Sequence, residues 1–378
     1  MYNIHFYSKI EDTVFWKHKT STSCLEHPDF LQTMVYSNPD IQYRFAEVTS
    51  LKGELVGRLF IQLLPFKGKE LKSYLAEDSS CFVRAAVETV LDKINWKMAV
   101  FGNLFVSGDD GQHWEENVSM TDRWLILNQA GKQLKQEEKV DTILFTEITE
   151  QHLSGSEELT KSGYKLFEIE PELTLNLAEN WHTFNDYIND MKSKYKVRTR
   201  KVMKDSAVLE VKSLSAEEIL SYQKEIQVLH ENVTSKVDFK LAQVSNVYFY
   251  NLKKCLGSHF SFNAYFLDGK MIGFISSIIQ KEEQNVHLIG LDYNVNKSVC
   301  LYQRILYDCV NEAILGNKKT LSFGKTATTI KTTVGAKTQK VYSLLKHNSK
   351  VSNLGIQPLF KYLKPEEEEI RNPFKDVV

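Results

Sequence analysis

The chain has 378 residues, a formal net charge of −1, 11% aromatic and 25% charged side chains. That is ample core material for two domains, which excludes a disordered chain, and a near-neutral balance leaves nucleic acid no global attraction, only a local basic patch. No apolar run approaches the roughly 20 residues that span a bilayer, and five scattered cysteines without a CxxC pair signal neither a zinc site nor a disulfide framework. The opening MYNIHFYSKI lacks the build of a signal peptide, so a cytoplasmic protein with reduced thiols is expected.

Taken in order, Pro28 to Tyr36 has helical spacing through Phe30, Leu31 and Met34. Ile41 to Phe66 reads as strand, turn at Lys52-Gly53, strand. Arg84 to Val100 reads as a helix running into a strand, AVFGNLFVSG. Gly108-Asp109-Asp110-Gly111 reads as a turn rather than a metal site. Trp124 to Leu134 is helical and Asp141 to Ile148 is a strand. A boundary is placed near Pro171, after a short KLFEI strand.

From Trp181 to about Lys204 one helix is expected, with Phe184, Tyr187, Ile188, Met191 and Tyr195 on its apolar stripe. Its second half carries seven cations in thirteen residues, from Lys192 to Lys204. Two further helices fill 215–256, the first opened by a capping box at Ser215–Glu218. Phe260 to Ile279 is a hairpin turned at Asp268-Gly269, and its second strand is apolar enough to be covered on both faces. Val286 to Tyr293 is a strand, Leu301 to Ile314 a helix, Thr320 to Phe323 a strand and Thr338 to His347 another. The tail PEEEEIRNPF is expected to be acidic and loosely ordered.

FSFNAYFLDGKMIGFISSIIQ echoes IQYRFAEVTSLKGELVGRLFIQLLPF: each is an aromatic-rich strand, a Gly turn and a strand with Gly four positions later. The helix and strand that follow repeat as well. Two diverged copies of one α/β unit are therefore expected.

FNDYINDMKSKYKVRTRK (184–201), DGKMIGF (268–274), VHLIGLDY (286–293), LYQRILYDCVNEAILGNKKTLSFG (301–324) and Lys331…Gly335, in that order, resemble the GNAT acyltransferase superfamily. The likeness is greater to its tandem branch, the Fem-type peptidoglycan amino-acid transferases and related acetyltransferase-like domains. The resemblance implies an α/β fold of tandem GNAT-like (acyl-CoA N-acyltransferase) units. Each would be a mixed, largely antiparallel sheet flanked by helices. Residues 1–170 would form a degenerate N-terminal unit, 171–350 the catalytic unit and 351–378 a tail. The chain departs from CoA-using members at Asn294–Cys300, where no glycine stands in the loop that would hold a pyrophosphate at a helix N-terminus.

The resemblance further implies amide formation: an acyl group passes from a thioester, acyl-CoA or acyl-carrier protein as co-substrate, to a small amine, amino acid or amino-lipid precursor. The backbone edge of Val286–Tyr293 would hold the acyl carbonyl. Asp292 is the preferred base, with loop capping as its alternative. His287 is a second candidate that reads equally as a hydrogen-bonded structural histidine. Lys331 and Lys325 flank the turn after the last strand and would steady an oxyanion, phosphate or carboxylate. Tyr302 would protonate the leaving group or pack in the core. Arg198 and Arg200, with Asn296 and Ser298, would bind the donor. The aromatics Phe239, Tyr248, Phe249, Tyr250, Phe260 and Phe262 would suit a long acyl chain or an ordinary core. No metal and no permanently bound cofactor is expected. An aminoacyl-tRNA-dependent Fem-type ligase is the alternative, less favoured because no sustained heptads supply a tRNA-binding arm. A non-catalytic lipid- or carrier-binding protein is the other, and peripheral membrane contact stays open.

Overall fold

The computed structural model describes residues 2–18, 24–69, 72, 81–235, 244–360 and 368–375. Thirteen strands make one sheet: β1 (Asn3–Tyr7), β2 (Gln42–Thr49), β3 (Leu55–Lys67), β4 (Asn95–Phe101), β5 (Gln112–Trp114), β6 (Thr142–Thr149), β7 (Lys165–Asn176), β8 (Glu210–Ser213), β9 (Phe260–Leu267), β10 (Lys270–Ile279), β11 (Glu283–Leu291), β12 (Thr320–Ser322) and β13 (Lys337–His347). The order is β1-β2-β3-β4-β6-β13-β7-β12-β11-β10-β9-β8, with β5 paired to β3. The echo seen in the sequence is a structural repeat. β2–β3–β4–β6 and β9–β10–β11–β12 each run antiparallel until a final parallel pair, β4 with β6 and β11 with β12.

The two central strands are exchanged. β7, from the first half, pairs with β12 of the second, and β13, near the end of the chain, pairs with β6 of the first. β7 and β13 also pair with each other. The boundary expected near Pro171 falls inside β7. A proline should end a central strand, because it removes a ladder donor. Here a bulge absorbs it: Gln339 faces Glu172 and Val341 faces Ile169, so Glu170 and Pro171 together oppose Lys340.

Each unit lays its long helix on the sheet. Met120–Glu138 buries Trp124, Ile126, Leu127 and Leu134 against β3, β4 and β6, and Leu301–Leu315 buries Leu301, Ile305, Cys309 and Val310 against β9–β11. The halves meet on the other face. The helix Pro28–Ser37 packs on the helix Tyr248–Leu256, with Asn251 Nδ2 donating to Ser37 Oγ at 3.0 Å. Tyr248, Phe249, Phe260 and Phe262 are buried in this core and Tyr250 partly so; Phe262 stacks on Phe274 at 4.9 Å. These rings are packed core; Phe239 lies outside the described residues.

Three local expectations are corrected. The helix expected over 181–204 is two, Phe184–Asp190 and Ser193–Asp205, because Met191 is extended and bridges Phe374. The helices of 215–256 are, among the described residues, three: Ala216–Ser221, Gln223–Thr234 and Tyr248–Leu256. The tail is tied down over 368–375. Lys192 N donates to Pro373 O at 2.8 Å, and the Phe374 ring lies 5.2 Å from Trp181 and 5.7 Å from Tyr187.

The seat of Phe374 depends on Gly335, which has φ +98° and whose added Cβ would lie 2.2 Å from the ring. Gly335→Ala is expected to expel Phe374, at a cost of about 2–3 kcal/mol from lost ring burial and the strained φ. Thermal melting and carboxypeptidase trimming test this; an unchanged melt with an untouched C-terminus would refute it.

Candidate active site

The expected donor slot of the second unit is largely filled by the protein itself. Beyond Asn285 the strands β11 and β12 part, leaving the outer edge of β11 without a strand. The helix Gln223–Thr234 lies along it. Asn232 Nδ2 donates to Leu291 O at 3.1 Å and His230 Nδ1 lies 3.4 Å from Ile289 O. The start of the helix Leu301–Leu315 is occupied too, with Asn296 Oδ1 accepting from Tyr302 N at 2.9 Å. Ser298 Oγ donates to Val295 O at 2.8 Å. Both side chains expected to hold a donor thus serve their own loop.

Asp292 caps the short helix Tyr293–Asn296. Its Oδ1 accepts from Asn294 N at 3.0 Å and its Oδ2 pairs with Lys270 Nζ at 3.2 Å. Burial would raise its pKa, but these partners outweigh it and hold the carboxyl below the ordinary range. His287 Nε2 sits 2.7 Å from Tyr248 Oη, in the apolar contact between the halves. Burial first, then the neighbouring His230, push its pKa down to about 3. Arg198 faces Gln303, whose amide oxygen, oriented toward it, accepts from Nη2 at 2.5 Å. Arg200 is exposed.

Lys325 and Lys331 do come together, at the seam between the two units. Lys331, on the helix Thr328–Thr333, is 6% exposed. Its Nζ donates to Phe323 O at 2.7 Å and Lys325 O at 2.5 Å. Burial lowers its pKa to about 8, against the opposing pull of Glu368, Glu170 and Glu172. Lys325 pairs with Glu147 of β6, whose other oxygen accepts from Gly108 N at 2.9 Å. Beside them Glu172 of β7 accepts from Ser322 Oγ at 2.5 Å, and the same hydroxyl accepts from Gly324 N at 3.1 Å. Burial raises the pKa of Glu172; the Ser322 hydroxyl opposes the shift, while the Glu147 charge adds to it. Glu170 is raised by burial and lowered in part by the two lysines.

The loop 102–111 of the first unit closes the seam. Gly108 has φ +79°, and an added Cβ would lie 2.8 Å from a Glu172 oxygen, so a side chain there would be strained and would push that carboxyl aside. Three non-glycine residues here take left-handed backbone, Glu147 (φ 60°), Thr326 (φ 64°) and Ala327 (φ 54°). Each costs of the order of 1–2 kcal/mol, strain that clusters where side chains must be aimed. Tyr302 is linked to the seam through Glu368: burial raises the Tyr302 pKa, and Glu368, which accepts from Thr329 N at 2.8 Å, acts on both Tyr302 and Lys331.

Glu147, Glu170, Glu172 and Ser322 were not among the residues singled out by sequence. The signal was the acidic run Glu168, Glu170, Glu172; ending the strand at Pro171 hid it. Asp292, His287 and Arg198 are engaged with Lys270, Tyr248 and Gln303 rather than with the seam's charged groups, and Arg200 is exposed. Among the described residues no group of three or more His, Cys, Asp or Glu is arranged to hold a metal, and no helix is long and apolar enough to cross a membrane.

No protein-family description matches this sequence and no curated protein is similar to it in sequence. Solved structures do match in shape. FemX superposes with a TM-score of 0.54 at 10% identity, over 92% of this chain and 96% of that one. The L-PGS of Bacillus licheniformis gives 0.50 at 9%, over 89% and 98%. A tandem GNAT protein from the clavulanic acid biosynthesis pathway gives 0.50 at 10%, over 85% and 87%. The chain therefore has the tandem fold of the GNAT acyltransferases.

Proposed function

We propose that the protein is an N-acyltransferase that works at the seam, forming an amide between the acyl group of a thioester and a small amine, amino acid or amino-lipid precursor. One observation carries the reading: a carboxyl held above its usual range, Glu172, shares a buried site with an ammonium held below its own, Lys331. Opposed shifts of this kind suit proton transfer near neutral pH. In the proposed reaction the amine nitrogen attacks the acyl carbon and its proton passes to Glu172. Lys331 donates to the oxyanion as the N–C bond forms. The C–S bond then breaks and Tyr302, kept protonated, gives its proton to the leaving thiolate.

A second reading has its own support. The ordinary donor slot is closed by Asn296 and by the helix Gln223–Thr234, while Lys194, Lys196, Arg200, Lys201 and Lys204 form no ion pair among the described residues. A donor gripped from outside along this basic helix, an acyl-carrier protein or an aminoacyl-tRNA, fits those facts.

The first experiment is native mass spectrometry of the gently purified protein, followed by amide detection with acyl-CoA, acyl-carrier protein and aminoacyl-tRNA, each against a panel of amines. Amide from a thioester is the expected result. Amide from aminoacyl-tRNA alone would replace it with the Fem-type ligase. A bound lipid or carrier without amide from any donor would make this a binding protein.

A further inference from the structure

The first unit, expected to be degenerate, holds a cavity of its own. β5 continues the line of β4 along β3 after the excursion 102–111. Past Phe101 and Phe145 the parallel pair β4 and β6 therefore opens between β5 and the end of β6. The gap is a cavity of about 90 Å³ under the first turn of the helix Met120–Glu138, lined by Asp110, Gln112, Trp114, Arg123, Trp124 and His152, with Met120 and Ile148 completing the wall. A water's share of liquid is about 30 Å³, so the space suits a very small organic molecule.

Its walls are fixed. Trp124 Nε1 donates to the carbonyls of His152 at 3.2 Å and Ser154 at 3.1 Å. Trp114 Nε1 donates to Gln112 Oε1 at 3.3 Å. The Arg123 Nε donates to Val118 O at 3.1 Å, and its guanidinium lies 5.9 Å over the Trp114 ring.

Its two charged groups act on each other at a distance, and neither is held by a direct ion pair to the other. Asp110 Oδ1 accepts from Gln112 N at 3.1 Å, and Oδ2 has only His152 Nδ1, at 4.0 Å. Burial and then Arg123 lower the His152 pKa, so the imidazole is neutral at pH 7 and gives the carboxylate no countercharge. Burial first, then Asp109, raise Asp110 to about 7. Arg123 forms no ion pair with Asp110 or with any other described carboxylate. One small cavity thus holds an acid and a guanidinium that attract each other without touching.

We propose that this cavity binds a free α-amino acid with a small side chain, its ammonium against Asp110 and its carboxylate against Arg123. A zwitterion satisfies both groups at once. A phosphate would meet the Asp110 carboxyl, and a simple amine would leave Arg123 unmatched. The two indoles leave room for a methyl or hydroxymethyl group and exclude a large side chain. The site borders the seam through the loop 102–111 but takes none of its charged groups, and it stands whether or not the seam transfers acyl groups.

The test is calorimetric titration of the full-length protein at pH 7.5, without any acyl donor. The ligands are glycine, alanine and serine, with N-acetylalanine (no ammonium), alaninamide (no carboxylate) and phenylalanine as controls. Glycine, alanine or serine should bind, and both blocked alanines should bind about tenfold or more weaker, the worth of one charged hydrogen bond. Asp110→Asn and Arg123→Gln should each weaken alanine by a similar factor. Should a variant fail to fold by circular dichroism, the blocked ligands on the unaltered protein decide alone. Equal binding of alanine and its blocked forms, or no millimolar binding of any small amino acid, overturns the proposal.

Discussion

Glu172→Gln is expected to lower the proposed amide formation by about 10²–10⁴-fold, the usual worth of a positioned general base, while leaving the fold intact. The amide oxygen still accepts from the Ser322 hydroxyl, which in turn accepts from Gly324 N. The substitution therefore removes the proton acceptor without orphaning its neighbours. It also removes a buried like charge from beside Glu147, so the melting temperature should hold or rise slightly. The loss should fall on kcat more than on KM, since the proton moves only in the reaction. The rate of the proposed reaction in the unaltered protein should increase with pH through the titration of Glu172, above the ordinary carboxylate range, and that limb should vanish in the variant. Full activity in Glu172→Gln, with the pH limb unchanged, would remove Glu172 from the chemistry.

The second large effect concerns stability in acid. His287 has an ordinary pKa of 6.5 in the unfolded chain and about 3 in the fold. Between those values the unfolded state binds a proton that the folded state refuses, so stability falls as pH drops from 6.5 toward 3. The loss is about 3–5 kcal/mol, since each pH unit between the two values is worth about 1.4 kcal/mol. His287→Phe keeps a ring against Tyr248 and removes the titration. It leaves the Tyr248 hydroxyl without its nitrogen partner, at a cost of about 1–3 kcal/mol at every pH. The variant should therefore be the less stable protein at pH 7, and the difference should close or reverse near pH 4. Urea midpoints at several pH values measure this. A constant difference across the range would mean that His287 charges freely in the fold.

Elements with strong local signals were legible in the sequence. Leu301–Leu315 announces itself by its apolar stripe, the β9–β10 hairpin by Asp268-Gly269, and the repeat by two hairpins of matching form. Lys331 was singled out because its place before Gly335 fits the family order. What stayed hidden depends on groups that meet only in three dimensions. Glu147 and Lys325 are 178 residues apart. Nothing local in either marks the pair. The bulge that tolerates Pro171 is a property of two strands rather than one. The break at Met191 is set by Phe374, far along the chain. The basic stretch after Lys192 read as one helix with the stripe before it, because helical periodicity survives a break in the axis.

The exchange of β7 and β13 constrains how the molecule comes into being. The sheet of the first unit is incomplete along β6 until residues 337–347 arrive, nearly two hundred residues after β6 itself. The first half thus leaves the ribosome with an open edge, the kind of surface that recruits other chains. Cutting the gene between the halves should yield two fragments that are each insoluble alone and fold when co-expressed. Unfolding in solution should be one transition rather than two, since neither unit can lose its last strand without opening the other.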